Sequence, residues 1–239
     1  MSSPPLSPLR KKCPGFLNVK TVANSSFCLT SNASKQIIVG HSVNENFATR
    51  ILFHKHSSTQ NGIELTPTEW FELVANRVEI DEFFRTGIPR PPILLGTVFR
   101  TLEFTRLYYR RTIIIKESET AADLYPRQIS FHEGTWNFLK GILTIVDSCV
   151  RKCLKNEKKI RALFDAICTH LKHTLSSHDE SSVTLALANL KPSDFPSYHN
   201  DFTAEEFDFV FKDIQHSCFD IIVNLVLECK VGFSYRFDY

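Results

Sequence analysis

Gly62-Ile63-Glu64-Leu65-Thr66-Pro67-Thr68-Glu69-Trp70-Phe71-Glu72-Leu73 decides the fold, because it reads as a strand passing into a helix and the pattern then recurs. The apolar Ile63 and Leu65 alternate around Glu64, as a half-buried strand requires. Thr66 is a capping residue, Pro67 falls at the first helical position, and Glu69 stands three residues after the cap, the reciprocal arrangement of a capping box. From Trp70, apolar residues return at steps of three and four through Leu73, Val74, Ile80 and Phe84, so a helix is expected to run to Thr86-Gly87, before Pro89. Sixty-six residues later Ile129, Phe131, Trp136, Leu139 and Val146-Asp147 repeat the order without a gap, and both tryptophans of the chain occupy the same place in it. An internal repeat of this kind predicts two copies of one structural unit.

Upstream of each helix the sequence reads as short strands. Phe27-Cys28-Leu29, Ile37-Ile38-Val39 and Arg50-Ile51-Leu52-Phe53-His54-Lys55 are apolar runs separated by Asn, Ser and Gly, and Phe16-Leu17-Asn18-Val19 is another. In the second copy strands are expected over 93–99 and 101–109, at Thr112-Ile113-Ile114-Ile115-Lys116, and at Ile129-Ser130-Phe131, followed by a helix over 133–155. The loop between the last two strands is four residues longer, so strands correspond at an offset of 62 and helices at 66. Beyond residue 158 the chain turns helical and acidic, with helices expected over 160–175, 183–190 and 204–230 and a terminal strand at Phe233, Tyr235 and Phe237. The expected fold class is α+β: two tandem sheet-plus-helix units forming an intramolecular pseudo-dimer, then a helical C-terminal region. The expected division is a disordered basic arm over 1–13, a first unit over 14–88, a second over 89–158, and the acidic region over 159–239.

Charge is distributed unevenly. The net value of +2 divides into +5 over residues 1–35, −3 over 36–86, +6 over 87–160 and −6 over 161–239. A basic second copy beside an acidic C-terminal third points to an anionic partner held on one part of the molecule. Seven cysteines, odd in number and without a Cys-x-x-Cys pair, fit reduced thiols in the nucleus or cytoplasm. Cys149, Cys153, Cys168, His170 and His173 lack the tight paired spacing of a zinc site, so no metal and no cofactor is expected. Asn24 and Asn32 lead sequons that are read as ordinary loop residues, since no secretory signal precedes them and no membrane span is expected.

The string Gly62-Ile63-Glu64-Leu65, with Glu69-Trp70, Leu73 and Ile80-Asp81, resembles the strand-to-helix signature of the transcriptional coactivator family of positive cofactor four. Phe47-Ala48-Thr49-Arg50-Ile51-Leu52-Phe53 and Tyr109-Arg110-Arg111-Thr112-Ile113-Ile114-Ile115 resemble the aromatic residue, turn and basic strand that precede it there. The resemblance covers about residues 36–155 and implies curved antiparallel sheets whose helices pair, leaving a groove for single-stranded DNA. It implies stacking on Phe47 and Tyr109, with phosphate contacts from Arg50, Lys55, Arg110, Arg111 and Lys116. Independently, Arg100, Phe104, Arg106, Tyr108 and Arg110 fall on even positions and would share one strand face, either a binding strip or a solvated face with rings partly in the core. Trp70 and Trp136 lie on the apolar stripes of their helices and are read as core anchors. The first copy departs from the family in being acidic and in carrying His54 and His56 in place of permanent cations, which shifts the expected binding to the second.

The expected function is largely sequence-independent binding of single-stranded DNA or RNA in transcription or replication, without enzymatic activity. The sequence holds no Gly-rich phosphate loop, His-Glu-x-x-His, nucleophile elbow or carboxylate cluster at metal spacing. The alternative is an interaction scaffold whose acidic helices dock transcription or replication proteins without nucleic acid. A pseudo-dimer built in one chain leaves room for a further dimer.

Overall fold

A computed structural model of the chain describes residues 20–55, 62–118, 127–175, 179–198 and 201–227. The basic arm, the run at 16–19, His56 and the expected terminal strand lie outside them. The described residues form an α+β protein with two antiparallel four-stranded sheets and six helices.

The first sheet has the order β1 (Thr21–Cys28), β2 (Lys35–Ser42), β3 (Ala48–Lys55) and β4 (Gly62–Leu65). It leads into α1 (Pro67–Ala75), where Thr66 accepts from the Glu69 N–H at 3.2 Å and Glu69 accepts from the Thr66 N–H at 2.8 Å, the capping box expected there. The one helix expected to run on to Thr86 divides at Asn76, whose side-chain amide donates to the Glu72 carbonyl at 2.8 Å and so competes with the helical ladder. Then α2 (Arg77–Thr86) ends at Gly87, which adopts φ +71 and donates its N–H to Phe83 O.

The second sheet has the order β5 (Ile93–Leu95), β6 (Thr97–Leu107), β7 (Arg110–Glu117) and β8 (Arg127–His132). In β7 the run Thr112, Ile113, Ile114 and Ile115 is buried without alternation, so both faces of this strand are covered. Some element bounds recur at the offsets legible in the sequence. β7 begins and ends 62 residues after β3, and the helix after β8 begins 66 residues after α1.

That helix, α3 (Glu133–Thr174), runs 42 residues, roughly 63 Å, where two helices over 133–155 and 160–175 were expected. Lys155-Asn156-Glu157-Lys158-Lys159 is polar but holds neither Gly nor Pro, so nothing in it stops the helix. After it come α4 (Glu180–Asn189), α5 (Ala204–Ser217) and α6 (Phe219–Leu227). α4 starts before residue 183 because Asp179 caps it, accepting from the Ser182 N–H at 2.9 Å. The helix expected over 204–230 divides at Cys218, whose φ and ψ of −101° and 9° leave the helical region.

Two compact units interleave along the chain among the described residues. The first takes residues 28–37, 52–55, 62–118 and 127–141, and the second residues 20–27, 38–51, 142–175, 179–198 and 201–227. In the first, Trp70 and Trp136 are buried as core anchors, Phe53 meets Phe131 edge-on at 5.2 Å, and the Trp136 indole N–H donates to Asp81 at 2.7 Å. In the second, Phe47, Phe164, Ile167, Leu171, Phe207, Phe211 and Ile214 belong to one core fed by strand ends and by α3, α5 and α6.

Candidate nucleic-acid interface

β6 and β7 pair from Arg100 and Glu117 to Leu107 and Arg110, which leaves Tyr108 and Tyr109 alone in a two-residue turn. Both have positive φ, +48 and +64. A two-residue hairpin loop with φ > 0 at both positions is the tightest reversal that suits the strand twist, and it ordinarily carries Asn-Gly or Asp-Gly. Here it carries two large rings, at 92% and 101% of full exposure. L residues with a bulky side chain adopt this conformation at a cost, and such strain collects at functional sites.

Arginines stand behind the tip on both faces of the hairpin. Arg106 and Arg111 are cross-strand partners and share one face, while Leu107 and Arg110 share the other. Arg106 and Arg110 are exposed. On the first face both guanidinium groups lie over Gly87, where an added Cβ would stand 2.7 Å from Arg111 Nε and 3.0 Å from Arg106 Nη2. Arg111 is also tied to the end of α2, donating to Arg85 O at 2.9 Å and to Phe84 O. A cation at the carbonyl end of a helix is stabilised by the dipole, so Arg111 fixes the hairpin against α2. Arg85 adds a further cation there, paired with Glu82 at 2.7 Å.

The expected single strip of even-numbered residues is corrected by this turn. The chain reverses at Tyr108 and Tyr109, so even positions before and after it fall on opposite faces. Within β6 the even face also points inward at first. Leu102 on that face is fully buried, and Phe104 is half-buried against Phe83, with ring centroids 5.3 Å apart. Arg100, 9% exposed, lies between Glu69 at 3.1 Å and Glu117 at 3.3 Å, and Glu117 in turn holds Arg127 at 2.8 Å. This charge is compensated inside the protein and is not presented to a phosphate. Lys116 is half-buried and paired with Glu103.

In the first sheet the residues expected to bind are placed differently. Phe47 is 3% exposed and packs on Phe164 at a centroid distance of 4.9 Å, so its face is not open to a base. Its carbonyl meets Nδ1 of the buried His41 at 3.1 Å. Arg50 pairs with Glu45 and donates to Thr49 O, and Lys55 is half-buried. Of the eleven residues expected to bind, the structure brings Arg106, Tyr108, Tyr109, Arg110 and Arg111 together at one tip. It withdraws Phe47 and Arg100 from solvent.

His132, Arg85 and Gly87 belong to this neighbourhood without having been singled out for it. His132 pairs with Thr112 across the strands, its Nδ1 2.8 Å from Thr112 Oγ1. Burial first, then the charges of Lys35 and Arg110, hold its pKa below the ordinary histidine value. A break between strands was expected here, but the absence of Gly, Asn or Asp at 108–109 left the exact place of the turn unmarked, although Asn46 lies 62 residues earlier at the corresponding place.

Among the described residues no group of three or more His, Cys, Asp or Glu is gathered to hold a metal ion, and no helix is long and apolar enough to cross a membrane. No protein-family model, curated protein or solved structure matches the chain.

Proposed function

We propose that the chain binds single-stranded DNA or RNA through the tip of the β6–β7 hairpin, largely without regard to sequence and without enzymatic activity, in transcription or replication in the nucleus. The observation that carries this reading is the pair Tyr108 and Tyr109, fully exposed on a strained two-residue turn with Arg106 and Arg110 behind them. Every base has a π-face, so exposed rings bind unpaired bases with little sequence preference, and guanidinium groups beside them neutralise the phosphates. In a duplex the bases are stacked on one another and the rings have nothing to meet.

The proposal includes the resemblance to the positive cofactor four family and the reading of the chain as two tandem units with curved sheets, arranged as an intramolecular pseudo-dimer. Recurrence of element bounds at 62 and 66 residues supports it, as does the recurrence of paired positive φ at Asn46-Phe47 and Tyr108-Tyr109. The acidic helices would then be free to meet transcription or replication proteins.

Fluorescence anisotropy with labelled single strands and duplexes over a salt series tests the binding reading. Tight binding to single strands, weakening as salt rises with a slope that falls by about 0.7 for each arginine removed in Arg106→Ala and Arg110→Ala, is the expected result. Absence of binding at low salt overturns it in favour of an interaction scaffold.

A further inference from the structure

We propose that the β6–β7 hairpin is a wedge for the junction at which a duplex opens into two single strands, a narrower ligand than a continuous single strand. The inference rests on the nucleic-acid reading above and specifies its substrate.

Three observations lead to it. First, the molecule offers a point here and not a strip. Going back along β6 from the tip, the face that starts with Arg106 turns inward at Phe104, Leu102 and Arg100. A long single strand laid along this face would find phosphate-binding cations only at its end. Two rings at the tip accommodate two bases, one on each.

Second, the cations stand on both sides of the tip. Arg106 points to the face shared with Arg111 and Gly87, and Arg110 to the opposite face. One strand passing on one side meets one of these groups. Two strands that separate at the tip, one passing on each side, meet both.

Third, the tip is stiff. The loop has the minimum two residues, both held at positive φ, and the strand pair just behind it is fastened by Arg111 to the carbonyl end of α2. Opening a terminal base pair sacrifices base stacking, and a fixed aromatic surface replaces it without an entropic cost of ordering a loop at the moment of binding. The tyrosine hydroxyls stay at the wet end of each ring.

The test compares the full chain's affinity for a forked duplex with two non-complementary arms, a single strand of the same total length, and a blunt duplex, in DNA and RNA versions. A fork bound at least about tenfold tighter than either of the others is the expected result, since only its two arms bring phosphates to the cations on both faces and one additional charge-assisted contact is worth that much. In the variant Tyr108→Asn/Tyr109→Gly, which has the residues this turn ordinarily takes and so preserves the hairpin, the preference should vanish. Arg106→Glu and Arg110→Glu should each weaken the fork more than the single strand. With 2-aminopurine at the junction pair, fluorescence should change on binding the wild type and not the double variant. Equal affinity for fork and single strand overturns the wedge and leaves single-strand binding standing; no binding to any of the three overturns both.

Discussion

Phe47 and Tyr109 share one backbone conformation, φ +63 and +64, and each follows a second residue of positive φ, Asn46 at +56 and Tyr108 at +48. Their surroundings are opposite. Phe47 is sealed against Phe164 in the core of the helical unit, and Tyr109 is fully exposed. At Phe47, burial of a ring offsets the strain of the turn. At Tyr109 nothing among the described residues does so, which is why that tip is read as the place where a ligand binds.

The strain predicts a stability effect with an unusual sign. Replacing both rings by Tyr108→Asn/Tyr109→Gly removes no buried surface and relieves two positive-φ positions, so the folded state should gain about 1–2 kcal/mol. In a chain of this size that is roughly 2–8 °C in Tm. A fall in Tm by calorimetry would mean that the rings hold the hairpin in place.

Glu69 is predicted to be the most sensitive polar position. It is 2% exposed, accepts from the Thr66 N–H and pairs with the buried Arg100. Glu69→Gln keeps the shape and leaves Arg100 short of a compensating charge, which should cost about 3–5 kcal/mol in urea unfolding. Glu69→Gln/Arg100→Met should recover most of the loss, because the unpaired charge is then gone. A loss below about 1 kcal/mol in the single variant would show that Glu117 suffices for Arg100.

Thiol reactivity should divide the cysteines sharply. Burial pushes the thiols of Cys153, Cys168 and Cys218 up to about 12, and Cys28 is exposed. Only the thiolate attacks an alkylating reagent. At pH 8 iodoacetamide should therefore modify Cys28 in the native protein and leave those three untouched until denaturant is added, as read by peptide mass spectrometry. Rapid native modification of Cys168 or Cys218 would contradict the helical core described here.

Acid should weaken the fold before carboxylates protonate. Burial holds His41 below its ordinary value near 6.5, against the raising effects of the Phe47 carbonyl and Glu157, and burial also lowers His132. The unfolded chain then takes up these protons at a higher pH than the folded one. Stability is full above about pH 6.5 and declines as pH falls through that value towards the folded pKa values. His41→Gln should reduce the slope of Tm against pH between 7 and 5. An unchanged slope would place the effect on other groups.

Much of the architecture was legible because it rests on local chemistry. Thr66, Pro67 and Glu69 specify a helix start wherever they fall, and the run Thr112 to Ile115 can hardly be other than a strand. Helix ends were harder to read, since Lys155 to Lys159 is polar without being a breaker, and the breaks at Asn76 and Cys218 carry neither Gly nor Pro. At the candidate site the sequence ended one strand at Tyr109 and began the next at Thr112, yet the even-position strip still set Arg106, Tyr108 and Arg110 on one strand face. The pairing of Leu107 with Arg110 places the reversal at Tyr108 and Tyr109 and puts Arg106 and Arg110 on opposite faces. The fates of Phe47 and Arg100 depend on Phe164 and Glu69, partners distant in the chain that no local pattern identifies.

The most direct measurement is the affinity of the wild type and of Tyr108→Asn/Tyr109→Gly for one unpaired oligonucleotide at one salt concentration, with Tm recorded on the same preparations. Loss of at least about tenfold in affinity, with Tm unchanged or raised, is the predicted result. Equal affinity in a folded variant would contradict the account, because it would place nucleic-acid binding away from the hairpin tip.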